Sequence, residues 1–490
     1  MIKFCTHLLA LGVFLALTAC SSSNPILPTP QLPANGTSPA ETGPTAIPTR
    51  PFYKPGELVD YVAQTGDTIP ALASHFNTTI DEIMAANPII PPDATTMPPG
   101  LPMKIPIYYR ELWGTSYKTI PDNAFVNGPT LIGFNTSAFV ASHPGWLKDY
   151  VGYAGGEYRT GAEIVDFVAT NYSVSPRLLL ALLEFQAGAL SRPQPPHKPY
   201  ILGFNVLYSE TVYYQLIIAA QTLNNGYYGW RAGNLIEFGR PDKTIVRPDP
   251  WLNAGSVGIQ YYFAQLLSGA DYDRAVGPTG LAKTFKDLFG DPWSNSLVLI
   301  PGSLQQPALL LPFARNQTWT YTGGPHTGWG AGEPFAAVDF APPSEFHGCF
   351  MPDPQNYAIA AADGLVVRSD INGLALDLDG DGDERTGWVV FYLHLAGATR
   401  APIGKQLHAG DLIGYPSCQG GEVTGTHVHI ARKYDGEWIL ADGPLAFNFE
   451  GWISHAGAVA YQGTLTRNGD TVTACQCSDF NSQIKSGAGP

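Results

Sequence analysis

Seven of the chain's 11 histidines lie beyond residue 320. His427-Val428-His429 sits in an extended pattern over residues 424–432, where side chains at i and i+2 share a face. Both imidazoles can therefore enter one site while Val428 points away. His394 ends the apolar run from Trp388 to Leu393 and shares strand parity with Val390 and Tyr392. His326 follows Gly323-Gly324-Pro325, and Asp339 lies in Ala336-Ala337-Val338-Asp339-Phe340. An exposed polar sheet face explains one such histidine, but explains a pair plus a third at another strand end less well. A catalytic zinc takes three protein ligands from His and carboxylate and keeps an open position for water. His326, Asp339 and one of the paired histidines supply that set. His347, His408 and His455 have no evident partners and read as surface residues.

The elements that must position these groups begin near residue 306, where short β-rich runs alternate with Gly, Pro and Asp turns. The expected strands are Tyr357 to Asp370, Gly387 to Leu395, Leu412 to Tyr415, Thr424 to Lys433 and Glu437 to Ile439. This predicts an all-β domain over 306–475 and a tail over 476–490. Asp377, Asp379, Asp381 and Gly382 imitate the start of a calcium loop, but its twelfth position is Trp388 rather than a bidentate Glu. A tight acidic turn is the favoured reading there and Ca2+ the alternative. Cys349, Cys418, Cys475 and Cys477 allow up to two disulfides. The expected pair is Cys349 with Cys418, since Cys475 and Cys477 are too close in sequence to pair easily with each other.

Upstream, residues 108–305 read as a mainly helical domain, with helices expected over Ala162 to Asn171, Pro176 to Gln186, Thr211 to Asn224 and Val257 to Leu267. Residues 57–107 form a small unit of strand, helix, helix and strand. Thr79 to Glu82 is a capping-box pattern there, and Asn87-Pro88 is a stop. Residues 20–56 are Pro-, Thr- and Ser-rich and form an extended tether. Lys3 and the apolar run Leu8 to Leu17, too short to span a bilayer, mark 1–19 as an export signal. The formal net charge of -14 argues against a nucleic-acid partner, which needs clustered Lys and Arg.

Four family resemblances extend this reading. Leu17-Thr18-Ala19-Cys20 resembles a bacterial lipobox, which implies lipidation of Cys20 and anchoring to the outer face of the cell membrane or envelope. Residues 57–107 resemble a LysM domain on Tyr61, Gly66-Asp67-Thr68, Leu72, Phe76, Ile83 and Asn87. That implies binding of N-acetylglucosamine chains by Gly66, Asp67, Thr68 and Ile69 and by Asn87, Pro88, Ile89 and Ile90. The stretch Ser175 to Gln186 faintly resembles the helix before the catalytic Glu of transglycosylase-type lysozymes, but Gln186-Ala187 stands where Glu-Ser is expected. A degenerate or purely structural helical domain is therefore favoured, with Glu184 the residue to test for glycan cleavage.

The β domain resembles the lysostaphin and beta-lytic class of zinc endopeptidases. The matching pieces are Gly-Gly-Pro-His326, Asp339-Phe340, Tyr392-Leu393-His394, Gly410-Asp411-Leu412-Ile413-Gly414 and Thr426-His427-Val428-His429. The resemblance implies one Zn2+ per chain on His326, Asp339 and His429, with His394 and His427 assisting catalysis. The function it implies is cleavage of peptidoglycan stem peptides or cross-bridges by an exported lipoprotein. The alternatives are a non-catalytic wall-binding protein that recruits or activates another hydrolase, and a general protease or bacteriocin.

Overall fold

The computed structural model describes residues 52–487 except 109, 112, 295, 296, 346, 347 and 478. The export signal, Cys20, the tether up to residue 51 and His347 lie outside the described residues. Among those described, no helix is long and apolar enough to cross a membrane.

Strands β1 (Glu57–Val62) and β2 (Pro102–Ile107) pair antiparallel and flank helices α1 (Ile69–Phe76) and α2 (Ile80–Ala86). Thr68 caps α1, and the Thr79–Glu82 capping box closes in both directions at the start of α2. Tyr61, Leu72, Phe76, Ile83 and Ile105 form the small core. The unit is docked rather than loose. His75 stacks on Trp230 of the helical region, with ring centroids 3.4 Å apart, and its Nε2 lies 3.0 Å from the Trp230 carbonyl oxygen.

That contact predicts a pH effect. Burial lowers the His75 pKa from 6.5 to about 3, so the folded state stays unprotonated where the unfolded chain takes up a proton. Stability from this group is therefore present above the unfolded value and is lost as pH falls from about 6.5 towards 3. Relative to His75→Phe, the wild-type chain should lose about 1.4 kcal/mol per pH unit in that window. Urea melts at pH 7 and pH 5 check this. An unchanged difference between the two proteins rejects it.

The middle region is helical. A hairpin of β3 (Val151–Ala154) and β4 (Glu157–Thr160) leads into α3 (Gly161–Tyr172), followed by α4 (Pro176–Ala187), α5 (Val212–Arg231) and α6 (Ala254–Ala264). Ser175 caps α4 with Pro176 in the first turn, and Gly188 ends it in the left-handed conformation. Helix α5 runs seven residues past its expected end at Asn224, to Arg231. Gly226 lies within it, where an added Cβ would sit 2.8 Å from the Gly258 Cα, so this glycine permits close packing on α6. Glu184 is committed to structure. It accepts hydrogen bonds from Leu190 N at 2.7 Å, Ser191 N at 3.2 Å and Ser191 Oγ at 2.6 Å. Gln186 bridges Leu202 O and Tyr262 OH.

The C-terminal region is built on a nine-stranded antiparallel sheet. Its central strands, in sheet order, are β7 (Gly364–Asp370), β8 (Gly373–Asp377), β9 (Trp388–Leu393), β10 (Val428–Tyr434), β6 (Ala337–Ala341) and β5 (Thr318–His326). The short β11 (Glu437–Trp438) pairs with β10. Residues 483–485 form an edge strand on β5, with Ile484 opposite Trp319, so this part of the expected tail belongs to the sheet. Three residues are too short for alternation to declare them.

The two faces of the sheet bury different cores. Val338, Phe340, Val390, Tyr392, Val428 and Ile430 face the β region's own core. Ala337, Phe391, Leu393, Ala431 and Trp438 belong to the core of the helical region. One sheet face is thus covered by helices, and alternation decides which residues meet them.

Cys349 and Cys418 are disulfide-bonded, with Cα atoms 5.8 Å apart. Cys475 and Cys477 are bonded to each other, which corrects the expectation that they would not pair. The chain bends at Gln476 and brings their Cα atoms to 5.0 Å, within disulfide range.

Candidate active site

Asp339 and His429 sit directly opposite each other on β6 and β10, on the helix-facing side of the sheet. His326 ends β5, whose register shifts between Tyr321 and Gly323 and again between Gly323 and His326. These bulges swing the histidine towards the other two. Gly323 is required in this arrangement, because a Cβ there would sit 2.5 Å from Asp339 Oδ2.

His326 Nε2 is 3.2 Å from Asp339 Oδ1, His429 Nδ1 is 3.3 Å from the same oxygen, and the two nitrogens are 3.1 Å apart. His326 Nδ1 lies 2.8 Å from Gly324 O and His429 Nε2 lies 3.2 Å from Gly328 O. A carbonyl only accepts, so in the neutral rings the proton sits on those outer nitrogens. The inner nitrogens then both carry lone pairs, and their close approach is not a hydrogen bond. Asp339 Oδ1 is buried and accepts none either. Burial pushes the Asp339 carboxyl up, and only positive charge beside it, such as a protonated His326 or His427 would bring, holds it well below the usual carboxylate range. Three buried acceptors therefore converge with no proton among them, which is costly unless a cation lies there. A tetrahedral site with bonds of about 2.0–2.1 Å has edges of about 3.3 Å, so the observed separations fit a small divalent metal.

His427 and His394 border the trio. His427 Nε2 is 3.7 Å from Asp339 Oδ1, and the His394 and His427 ring centroids are 4.5 Å apart. His427 Nδ1 faces Gly425 O at 2.8 Å and His394 Nδ1 faces Gln419 O at 3.0 Å, which leaves both Nε2 atoms unprotonated in the neutral rings. Burial, with His427 and His429 adding to it, lowers the His394 pKa to about 3. Strand parity placed His394 with Tyr392, on the other sheet face. The structure differs because His394 lies past the end of β9 with φ 64°, and this left-handed residue turns the ring towards His427 and His429. The strand expected from Thr424 likewise begins only at Val428. Thr426 instead bonds Gly348 O and Phe350 O, beside the Cys349–Cys418 bridge.

Tyr461 is not singled out by the sequence, where it is one tyrosine after the small residues Gly457-Ala458-Val459-Ala460. Its ring stacks on His326 with centroids 4.1 Å apart, and Gly324 N donates to its carbonyl. Tyr461→Ala should loosen His326 and weaken metal retention about tenfold, whereas Tyr461→Phe keeps the stack. Competition with a chelator measures both. Equal retention in the two variants rejects the positioning role.

The other expected positions divide. Asp377, Asp379 and Asp381 do cluster, but Asp377 accepts backbone N–H bonds from Asp379 and Gly382, as an acidic turn requires. In the LysM unit the first loop is covered. Gly66 lies against the Arg231 guanidinium, and Asp67 and Ile69 are buried. Residues 300–304 run between the loops, with Thr65 Oγ1 accepting from Ile300 N at 2.7 Å and Thr96 Oγ1 donating to Pro301 O at 2.7 Å. Asn87 spends its amide on Ile83 O, Lys104 O and Lys104 N. Pro88 and Ile89 are exposed, while Ile90 is buried. His408 is exposed near Asp363, and His455 bonds Thr466 at 2.8 Å.

Residues 61–106 match the LysM domain and residues 118–303 match the LasA N-terminal domain. In these matches the chain resembles a LysM-containing peptidase of the lysostaphin and beta-lytic class. Protease LasA of Pseudomonas aeruginosa is 25% identical over 343 residues, spanning 66% of this chain and 75% of that protein. Among solved structures, the M23 metalloprotease pseudoalterin aligns at 22% identity over 34% of this chain and 96% of its own, with TM-score 0.28. The lysostaphin catalytic domain of Staphylococcus simulans aligns at 22% identity over 26% of this chain and 90% of its own, with TM-score 0.19.

Proposed function

We propose that this chain is an exported, wall-associated zinc endopeptidase that hydrolyses peptide bonds of peptidoglycan. The observation that carries the reading is the buried convergence of His326 Nε2, His429 Nδ1 and Asp339 Oδ1, 3.1 to 3.3 Å from one another, beside two further imidazoles. These three residues would hold one zinc ion. Bound there, zinc supplies a Lewis acid and brings the pKa of a water ligand towards neutrality.

The protein's own groups do the rest. Gly425 O and Gln419 O fix the His427 and His394 rings with Nε2 towards the cleft. These two imidazoles would orient the attacking water and accept its proton. Either ring, once protonated, can pass its proton to the leaving amine. The LysM unit would raise the local concentration of wall substrate. Its exposed Pro88 and Ile89 are the open part of the proposed glycan surface. Use of Gly66 to Ile69 requires displacement of Arg231 and the 300–304 segment. Cys20, if lipidated, would keep the enzyme at the envelope.

The test is digestion of purified peptidoglycan by the whole chain, with identification of new amino termini and metal analysis. The expected result is about one zinc per chain, with both zinc and cleavage lost in His326→Ala. Zinc-free protein that cleaves equally well would sink the proposal.

A further inference from the structure

The metal trio opens into a cleft of about 980 Å³, and only one side of that cleft belongs to the β region. Phe167 and Asn171, one helical turn apart on α3, line the other side with Tyr172. Tyr213 and Ile217, one turn apart on α5, complete it. None of these helical residues is charged, and the lining as a whole contains no Lys or Arg.

This far wall is fixed to the peptidase region. Arg368 Nη1 on β7 donates to Asn171 Oδ1 at 2.9 Å. Glu333 N, in the loop between His326 and Asp339, donates to Asn225 Oδ1 at 2.8 Å. In the same loop Gly330 lies against the Tyr172 ring, where an added Cβ would stand 2.7 Å from Cε1. The sheet face that carries Asp339 and His429 is packed into the helical core through Ala337, Phe391, Ala431 and Trp438.

The wall continues outwards as aromatic surface. Phe167 and Tyr213 have ring centroids 5.9 Å apart, and Tyr213 and Tyr214 are 5.3 Å apart. The turn of the β3–β4 hairpin packs on Phe167, and Arg159 stands over the same ring at 4.6 Å. Beyond it, Tyr153 and Tyr158 pair at 5.5 Å and remain exposed. Tyr213, Tyr153 and Tyr158 present uncharged rings tipped with hydroxyls. They suit a ligand that is itself flat, apolar on one face and rich in hydroxyls at its edge. A pyranose ring has that character.

We infer that the helical region is a working part of the enzyme, its Phe167–Tyr213 wall being a subsite for the sugar attached to the peptide that is cut. This rests on the peptidase reading above and names the part of the substrate that the reading leaves open. The β region would hold the scissile peptide, and the helices would hold the glycan next to it.

The experiment uses the whole chain and two probes with the same scissile peptide, one free and one linked to an N-acetylated disaccharide. The readout is the ratio of kcat/KM for the linked probe to that for the free one. In Tyr213→Ala this ratio should fall about tenfold, mainly through KM of the linked probe, the size of one well-packed aromatic contact. Tyr213→Leu, which keeps apolar bulk for folding, should fall similarly, and Tyr213→Phe less. An unchanged ratio in Tyr213→Ala and Tyr213→Leu overturns the sugar subsite while leaving the peptidase standing. If the zinc-loaded wild-type chain cuts neither probe, the peptidase reading itself fails and takes the subsite with it.

Discussion

Asp339→Ala should abolish peptidoglycan cleavage, by at least about a thousandfold, and should leave the protein without stoichiometric zinc. The size follows from the position of Oδ1. It stands 3.2 Å from His326 Nε2 and 3.3 Å from His429 Nδ1, and it is the only anionic member of the trio. Its loss leaves two neutral imidazoles, too few donors to hold a catalytic zinc. The apo fold should survive, because Asp339 brings no hydrogen bond to Oδ1 and its burial without a cation is a cost rather than a gain. Thermal melts in the presence of a chelator should therefore show Asp339→Ala at least as stable as wild type. Added zinc should raise the wild-type melting temperature and leave the variant's unchanged. His394→Ala provides the contrast, since zinc is retained while turnover falls. Should Asp339→Ala keep both zinc and activity, the ion does not sit among these side chains.

The paired histidines were legible because period two in a strand is a strong rule, and His427 and His429 do reach one site. Parity failed at His394 because one left-handed residue after β9 reverses a side chain's face, and no alternation pattern encodes a positive φ at a histidine. Gly323 and Gly324 were read as part of a motif. Their physical cause, the bulges and the closeness of Asp339, appears only in three dimensions. The LysM unit was legible through its caps, which are local signals. Its docking was not. Gly66 and Asp67 look the same in sequence whether they face solvent or an arginine 165 residues away. The helical cover on the sheet was likewise hidden. Phe391 and Trp438 lie in expected strands, and nothing local says that the core they pack into is helical.

Arg231→Met should be the most destabilising single change among the inter-region contacts, by about 3–5 kcal/mol. The Arg231 side chain, at the end of α5, is only 8% exposed and reaches three parts of the chain. Its Nε donates to Glu437 Oε1 on β11 at 2.9 Å, one Nη donates to Asp122 Oδ2 at 2.9 Å, and the other bonds Thr65 O in the LysM unit. Asp122 also accepts from Asn253 at 2.6 Å and Gly255 N at 2.7 Å, while Tyr227 donates to Glu437 at 2.9 Å. Burial raises the Glu437 pKa, and Arg231 is the main influence opposing it. Removing the guanidinium strands two carboxylates in a site closed to water, so the cost is that of unpaired buried charge rather than of lost packing. Arg231→Lys should recover little, because one ammonium cannot reproduce a planar fork that meets three acceptors in different directions. Adding Asp122→Asn and Glu437→Gln to Arg231→Met should restore much of the loss, since it removes the stranded charges. Urea denaturation of wild type, Arg231→Met, Arg231→Lys and the triple variant measures this. A triple variant no more stable than Arg231→Met alone would show that shape, not charge, holds this junction together.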